Sequence, residues 1–385
     1  MTNVATYLDY NAGAPARPAV VDAVVAALAI GGNPSSVHRA GRLARRAIED
    51  ARETVAETVG AEASEVIFTS GGTEANNLAL LGAVRRGLAA RLIVSAIEHD
   101  SIRAAAEGAG VPVALVPVDR DGVVDLDALD RLLADGQGPA LVSVMLANNE
   151  TGVIQPVAEV ARIARGHGAL VHSDAVQALG KGAVDFSALD VDMMTVSAHK
   201  IGGPAGVGAL VKRAGIDLLP LSLGGGQDYG RRPGTENLAG IAGFAAAAKC
   251  LGGDADVTAL RDRLEREVLA QVPGTRIFGA GAARVGNTAC IGLSNVKAET
   301  QVMALDLAGV LVGAGSACSS GKVRPSPVLT AMGESEAVAR SAIRVSLGWA
   351  SVAGDVDRFL AAYIEFAGRA LQARAAVVQK ESNHG

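Results

Sequence analysis

The chain has 385 residues, of which 49% are apolar and only 19% are charged. A chain of this length can bury a large core, and it allows two or three domains. Its net charge of −5, with no long basic run, argues against nucleic acid or an anionic membrane as the main partner. The N-terminus has no basic stretch that leads into an apolar run, so we expect no signal peptide and a cytoplasmic protein.

Short apolar segments alternate with helical segments from about residue 65 onwards. The predicted strands are residues 66–69, 92–95, 113–118, 140–146, 169–173, 193–197 and 207–212. Helices are predicted at 73–88, 126–133 and 156–167. This alternation is typical of an α/β fold with a mostly parallel sheet covered by helices. Ligands of such sheets bind at the carboxyl ends of the strands.

The pattern changes after about residue 250 and predicts a smaller α+β domain. Strands are predicted at 288–293, 310–312 and 343–346, and helices at 261–269, 299–307 and 356–371. We therefore predict a large domain over residues 16–250. The small domain would be formed by residues 1–15 and 251–385.

Two polar segments follow neighbouring strands at the same predicted sheet edge, Asp174-Ala-Val-Gln177 and Ser197-Ala-His-Lys200. A lysine at a strand end, followed by two glycines, suits a Schiff-base lysine that needs room. A buried aspartate beside it suits the partner of a protonated pyridine nitrogen. Taken alone, Lys200 would be interpreted as a surface lysine on a loop and Asp174 as a helix cap. Together they favour an enzyme that uses pyridoxal 5'-phosphate (PLP).

A glycine turn between a strand and a helix provides a candidate phosphate site. Gly71 and Gly72 would let backbone N–H groups approach an anion at the helix N-terminus, and Thr73 adds a hydroxyl. Most turns of this kind are plain strand–helix connections, so this one points to a phosphate only together with Lys200. Ser197 and His199, which flank Lys200, are further phosphate candidates.

Three more polar positions lie in or after predicted strands. His99 could stack on a cofactor ring and shuttle protons, or be a solvated loop histidine. Arg344 suits bidentate capture of a substrate carboxylate, or a salt bridge on the strand face. The run from Asn148 to Gly152 could present an amide to the same carboxylate.

The three cysteines exclude a disulfide scaffold, lack zinc-site spacing and fit a reducing cytosol. Cys250 and Cys290 are interpreted as buried core residues. Cys318 lies in Gly315-Ser-Ala-Cys-Ser-Ser-Gly321, where small neighbours favour an accessible loop. A thiol there suits a nucleophile that moves to and from an active site.

Taken together, these motifs resemble the cysteine desulfurases of the NifS and IscS type, in the class V aminotransferase group of PLP enzymes. The resemblance runs in order over nearly the whole chain. It also includes Tyr7-Leu-Asp-Tyr-Asn-Ala, Gly32-Asn-Pro-Ser-Ser-Val-His38, Thr69-Ser-Gly-Gly-Thr-Glu-Ala-Asn-Asn77, Gly224-Gly-Gly-Gln227 and Arg231-Arg-Pro-Gly-Thr-Glu-Asn237. It implies the fold type I of PLP-dependent transferases.

The resemblance implies that sulfur is removed from L-cysteine, giving L-alanine and a persulfide on Cys318 for iron–sulfur cluster assembly or other sulfur transfer. Lys200 would bond PLP and move protons, while Asp174 and Gln177 would bind the ring. His99 would stack on the ring and assist proton transfer. The phosphate would be held by Gly72, Thr73, Ser197 and His199, with Thr235 reaching it from the neighbouring subunit of a homodimer. Asn149 and Arg344 would hold the cysteine carboxylate.

Some features of the sequence depart from the family pattern or leave alternatives. Gly13 and Ala14 stand where the family often has threonines, and the C-terminus is short for a tail that docks an iron–sulfur scaffold. The long stretch between Cys318 and Arg344 resembles the subgroup that delivers persulfide directly to an acceptor protein. A selenocysteine lyase or a class V aminotransferase on the same fold is the alternative. A non-catalytic partner subunit would have lost Lys200 or Asp174.

Overall fold

The computed structural model describes residues 5–253, 256–315 and 324–382, with side chains up to residue 372. The strands are β1 (Thr6–Tyr7), β2 (Val66–Thr69), β3 (Arg91–Ser95), β4 (Val113–Val116), β5 (Ala140–Ser143), β6 (Leu170–Asp174), β7 (Met193–Ser197), β8 (Gly208–Lys212), β9 (Thr275–Ile277), β10 (Thr288–Leu293), β11 (Val310–Leu311), β12 (Gly313–Ala314) and β13 (Ala342–Ser346). The helices are α1 (Pro18–Leu28), α2 (Arg39–Thr58), α3 (Gly72–Arg86), α4 (Asp100–Glu107), α5 (Leu126–Asp135), α6 (Val157–Gly166), α7 (Phe186–Leu189), α8 (Leu238–Lys249), α9 (Thr258–Gln271), α10 (Ala298–Leu307), α11 (Pro327–Ala331), α12 (Glu336–Ala339) and α13 (Ala353–Ser382). In these ranges, no helix is both long and apolar enough to cross a lipid bilayer.

A seven-stranded sheet in the order β2-β8-β7-β6-β5-β3-β4 carries the large part of the fold. Its strands run parallel except β8, which is antiparallel to both β2 and β7. The central strands β5 and β7 are buried along their whole length, as expected when helices cover both faces. The predicted α/β fold with a mostly parallel sheet is therefore confirmed.

Some elements differ from the prediction. The strand predicted over 140–146 ends at Ser143 in its regular part, although Val144 and Leu146 still donate backbone hydrogen bonds to His172 and Asp174 of β6. Helices α1 and α2 lie in a region for which no element was predicted. The sequence of α1, Pro-Ala-Val-Val-Asp-Ala-Val-Val-Ala-Ala-Leu, has apolar residues on all sides and so lacks an amphipathic period.

A smaller antiparallel sheet in the order β12-β13-β10-β9 forms the second part of the fold. It has its own buried cluster, which includes Leu264, Val345, Phe359 and Tyr363. The N-terminal strand β1 pairs with β11, so the first residues of the chain join this part. The exact boundaries at residues 16 and 250 stay a prediction.

The carboxyl ends of β3, β5, β6 and β7 meet at one edge of the large sheet, since these strands are parallel. Past this edge the N-terminal segment continues from Asp9, which forms a bridge with Ser346 of β13. Residues of the small sheet and the N-terminal segment are thereby brought to the edge that carries the predicted site.

Candidate active site

Lys200 ends a single turn of 3-10 helix, Ala198–Lys200, that directly follows β7. Its Nζ donates hydrogen bonds to the carbonyl oxygens of Asn11 at 2.5 Å and Ala12 at 3.0 Å. Burial, and then the charge of Arg344, lower the pKa of this amine to about 8. A substantial neutral, nucleophilic fraction of Lys200 therefore exists near neutral pH.

The glycines after Lys200 have a different role from the predicted one. A Cβ atom at Gly203 would lie 2.8 Å from the Cβ of Ala198, far too close for a side chain. Glycine there lets the chain turn tightly against the residue that begins the lysine turn. The absence of a side chain at Gly203 therefore allows close backbone packing and does not open space for a ligand.

Asp174 is the last residue of β6 and is only 7% exposed. Its Oδ2 accepts a 2.7 Å hydrogen bond from Asn76 Nδ2, and its Oδ1 accepts one of 2.9 Å from the backbone N–H of Val176. No cation of the described residues forms an ion pair with it, although buried carboxylates normally have one. A protonated pyridine nitrogen would supply that missing charge, so this position fits the ring of PLP.

The turn before α3 has the geometry of an anion cradle. Gly71 has φ 151°, and no side chain of the described residues caps the helix N-terminus. A Cβ at Gly72 would lie 2.9 Å from Val176 Cγ2 and 3.8 Å from Ser197 Cβ, so this turn lies beside both segments of the predicted site. Thr73 is exposed on the first helical turn. The arrangement fits a phosphate group.

Ser197 and His199 form a pair beside this turn. Ser197 Oγ lies 2.9 Å from His199 Nδ1. Burial, and then the charges of Lys200 and Lys181, lower the pKa of His199 to about 4. His199 is therefore a neutral imidazole at neutral pH. Thr235, by contrast, is exposed on the loop before α8, and its contact with a neighbouring subunit stays a prediction.

Gln177 is buried and held at both ends of its amide. Its Nε2 donates to the carbonyl oxygen of Asn11 at 2.9 Å, and its Oε1 accepts from Lys181 Nζ. Lys181 also donates to Asn11 Oδ1 at 2.8 Å. Burial, followed by the charges of Lys200 and Arg344, lowers the pKa of Lys181 well below its usual range. These contacts fix Nε2 as the donor end of the amide, with its second hydrogen left for a ring oxygen.

His99 is the N-cap of α4 and is exposed at the same sheet edge. Its Nδ1 accepts from the backbone N–H of Ser101 at 3.1 Å and lies 2.8 Å from Ser101 Oγ. Ser101 Oγ in turn lies 2.9 Å from Asn76 Nδ2. Asn76 also binds Asp174, so a continuous hydrogen-bonded chain joins His99 to Asp174.

Arg344 projects from β13 and is 7% exposed. Its Nη2 donates to Asp9 Oδ1 at 2.7 Å, and its Nη1 donates to the carbonyl oxygen of Asn149 at 3.0 Å. The strand-face salt bridge considered above is thus present. The Nε of Arg344 is buried and has no partner within the described part of the chain. The bonds to Asp9 and Asn149 use two of the five N–H groups of the guanidinium, so further donors remain for a carboxylate near Asn149.

Cys318 lies outside the described residues. Strand β12 ends at Ala314, one residue after Gly313, which pairs with Arg344, so the described chain comes within a few residues of Cys318 next to this arginine. Cys290 is fully buried in β10, and burial raises the pKa of its thiol. Cys250 is only partly buried after α8, so its interpretation as a buried core residue was wrong. It lies at the C-cap of α8.

Sequence reasoning missed four polar residues that complete the site. They are Asn11, Asn76, Ser101 and Lys181. Asn11 and Asn76 belong to the motifs of the family resemblance, but the motifs alone assign them no role. Lys181 follows Gln177 by four residues, which was the only local signal for their contact.

Comparison with known proteins gives one consistent result. The family model of class V aminotransferases matches residues 6–359. A cysteine desulfurase of Cereibacter sphaeroides is 45% identical, over 92% of this chain and 93% of that protein. The structure of a NifS-like protein from Rickettsia africae is similar with a TM-score of 0.86 and 35% identity, over 94% of this chain and 99% of that one. SspA in complex with cysteine is similar with a TM-score of 0.79 and 30% identity, over 90% and 100% of the two chains. The chain therefore belongs to the cysteine desulfurases of the class V aminotransferase family.

Proposed function

We propose that this protein is a PLP-dependent cysteine desulfurase that converts L-cysteine to L-alanine and leaves the sulfur as a persulfide on Cys318. The observation that carries the proposal is that Lys200 and Asp174 lie at the same edge of the large sheet. Asp174 ends β6, and Lys200 ends the turn that follows the neighbouring strand β7. Lys200 offers a partly neutral amine, and Asp174 is a buried carboxylate to which no cation of the described residues is paired. PLP chemistry requires these two groups.

The residues fit the cofactor part by part. Lys200 would hold its aldehyde carbon, Asp174 its ring nitrogen and Gln177 its ring hydroxyl. The N-terminal turn of α3 with Thr73, Ser197 and His199 would hold its phosphate. When bound, PLP supplies an electron sink that makes the Cα–H bond of an amino acid acidic.

Substrate recognition falls to Arg344 and Asn149. The guanidinium of Arg344 would donate to the carboxylate of L-cysteine through the N–H groups that its bonds to Asp9 and Asn149 leave unused. Within the described ranges, no protein group hydrogen-bonds the side-chain amide of Asn149, which leaves it for the same carboxylate. Lys200 Nζ would then take the proton from Cα, as a neutral amine with a pKa of about 8 is suited to do.

The sulfur transfer is a displacement at the substrate sulfur. The thiolate of Cys318 attacks that atom, an S–S bond forms and the substrate Cβ–S bond breaks. The electron pair of the broken bond stays with the carbon skeleton, which takes up protons and leaves as L-alanine. No external oxidant or reductant is needed, since the two electrons that the sulfur loses remain on Cβ, which is reduced to the methyl group of alanine.

We also propose a homodimer in the cytoplasm. Helix α1 exposes Val21, Val25 and Leu28 on one face, with exposures of 51%, 62% and 70%. An apolar stripe of this kind favours burial against a second copy of the chain. A reducing compartment suits an enzyme whose reagent is a free thiol. A sulfur-acceptor protein, either an iron–sulfur scaffold or a sulfur carrier, would then receive the persulfide.

The test is incubation of the purified, PLP-loaded protein with L-cysteine, with alanine and persulfide measured together. Equal amounts of both products are expected in the first turnover. Formation of the keto acid of cysteine, without alanine and persulfide, would contradict the proposal and identify an aminotransferase. The same assay with L-selenocysteine separates a selenocysteine lyase, which would act on that substrate alone.

A further inference from the structure

The amide of Asn76 is fully buried and its orientation is determined by its neighbours. Nδ2 lies 2.7 Å from Asp174 Oδ2 and 2.9 Å from Ser101 Oγ. The opposite orientation would place Asn76 Oδ1 against the carboxylate oxygen, where two acceptors would face each other. Oδ1 instead has no partner among the described residues. Both hydrogens of Nδ2 are therefore used, one for Asp174 and one for Ser101.

The hydroxyl of Ser101 has only one hydrogen to give. Its oxygen accepts from Asn76, so its own hydrogen is free to point at His99 Nδ1, 2.8 Å away. The backbone N–H of Ser101 also donates to Nδ1, at 3.1 Å. Two donors thus face the same ring nitrogen, which leaves no place for a hydrogen on Nδ1.

We propose that Asn76 and Ser101 are positioning residues that hold His99 as the neutral tautomer with its hydrogen on Nε2. The chain of donors starts at the Asp174 carboxylate, because that group can only accept from Asn76. The directions of the side-chain hydrogen bonds from Asn76 to Ser101 and from Ser101 to His99 follow from this one acceptor, and the backbone N–H of Ser101 adds a second donor to Nδ1. The tautomer of His99 is consequently coupled to the group that would bind the cofactor nitrogen.

This inference deepens the proposed function and rests on it for its chemical meaning. With Nδ1 occupied, His99 presents a hydrogen-bond donor at Nε2 to the site. A ring in this state is not the base that removes the substrate proton, so that step falls to Lys200. His99 would instead orient the substrate or cofactor through an Nε2–H bond.

The experiment reads the tautomer directly by nitrogen-15 NMR of the histidine rings. The chain has six histidines, and His99→Gln assigns the signal. Spectra are recorded on the full-length protein, PLP-free and PLP-loaded, about two units above the ordinary histidine pKa of ~6.5. In the PLP-free wild type we expect an unprotonated Nδ1 and a protonated Nε2.

Variants test the positioning role. Asn76→Ala and Ser101→Ala should both raise the population with hydrogen on Nδ1, and Ser101→Thr, which keeps a hydroxyl, should retain the wild-type tautomer. A wild-type ring protonated on Nδ1 would overturn the inference, as would an unchanged tautomer in both alanine variants. If a variant does not fold, the wild-type spectrum alone still tests whether the hydrogen of the His99 ring is on Nε2. Failure of PLP binding is seen separately, as absence of visible absorption, and leaves the PLP-free spectrum valid.

Discussion

Lys200 donates a 2.5 Å hydrogen bond to the carbonyl oxygen of Asn11, a residue 189 positions earlier in the chain. The same oxygen accepts from Gln177 Nε2 at 2.9 Å. One backbone carbonyl of the N-terminal segment thus holds the amine and the amide that would bind PLP. The N-terminal segment is consequently part of the site, although it belongs to the predicted small domain.

The lowered pKa of Lys200 predicts how PLP uptake depends on pH. Only the neutral amine attacks an aldehyde, so below the pKa of about 8 the uptake rate of the PLP-free protein should rise about tenfold per pH unit and then level off above it. Stopped-flow absorption with borohydride trapping on Lys200 measures this. Arg344→Gln removes a nearby positive charge, which should raise the pKa and move the rise to higher pH. Arg344→Lys keeps the charge and serves as the control, and uptake that is constant between acidic and alkaline pH would refute the assignment.

Cys318→Ala should retain PLP absorption but lose persulfide and alanine formation, because the sulfur has no thiolate to accept it. We expect a loss of at least about a thousandfold in turnover, the scale seen when a nucleophile is removed. Cys250→Ala is the matched control, since this partly buried thiol lies at the end of α8 and outside the site. Full activity of Cys318→Ala, measured as alanine released, would disprove its role as nucleophile.

Asp174→Asn keeps the size of the side chain but removes the charge that would pair with the ring nitrogen. Loss of one partner from a buried ion pair costs about 3–5 kcal/mol, so PLP affinity should fall by about 100-fold or more. Equilibrium dialysis of PLP gives the dissociation constant. Asp192→Asn is the control, because this half-buried carboxylate accepts from Val171 at the opposite end of β6. Equal affinities of the two variants would contradict the role of Asp174.

Val25→Glu should shift the protein from dimer to monomer at micromolar concentration, because it places a charge in the apolar face of α1. Light scattering coupled to size-exclusion chromatography measures the mass. Leu269→Glu changes a similarly exposed apolar residue on α9 and should leave the dimer intact. The proposed dimer surface would be wrong if Val25→Glu remained dimeric, or if the wild type were monomeric.

The buried ion pair between Arg52 and Asp228 should anchor the loop that precedes Thr235. Arg52 Nη2 lies 2.6 Å from Asp228 Oδ1, and the two side chains are 3% and 1% exposed. Asp228→Ala would remove the buried partner of the guanidinium and leave only half-exposed Glu49 as its counter-charge, so it should lower the free energy of unfolding by about 3–5 kcal/mol in urea. The exposed pair of Arg162 and Glu159 is the control, and Glu159→Ala should cost less than about 1 kcal/mol. If Asp228→Ala and Glu159→Ala lowered the free energy of unfolding by similar small amounts, the buried pair would not anchor this loop.

The sequence by itself determined the strands that end at the site and the residues that follow them. Strands that are buried on both faces are short, mostly apolar runs, so β7 and β10 could be predicted with their exact bounds. Polar residues such as Asp174 and Lys200 stand out directly after such runs. Their roles came from the order of motifs along the chain, which is a property of the sequence alone.

Only the tertiary structure decided which groups meet at the site. Asn11, Asn76, Ser101 and Lys181 are ordinary polar residues in the sequence, and their contacts depend on where the packed sheets bring them. Asn76 reaches Asp174 across 98 positions, and Arg344 reaches Asp9 across 335. Hydrogen bonds act only over about 3 Å and in defined directions, so no local pattern can encode them. The charge state of Lys200 and the bond direction at His99 follow from these contacts, and therefore from the fold.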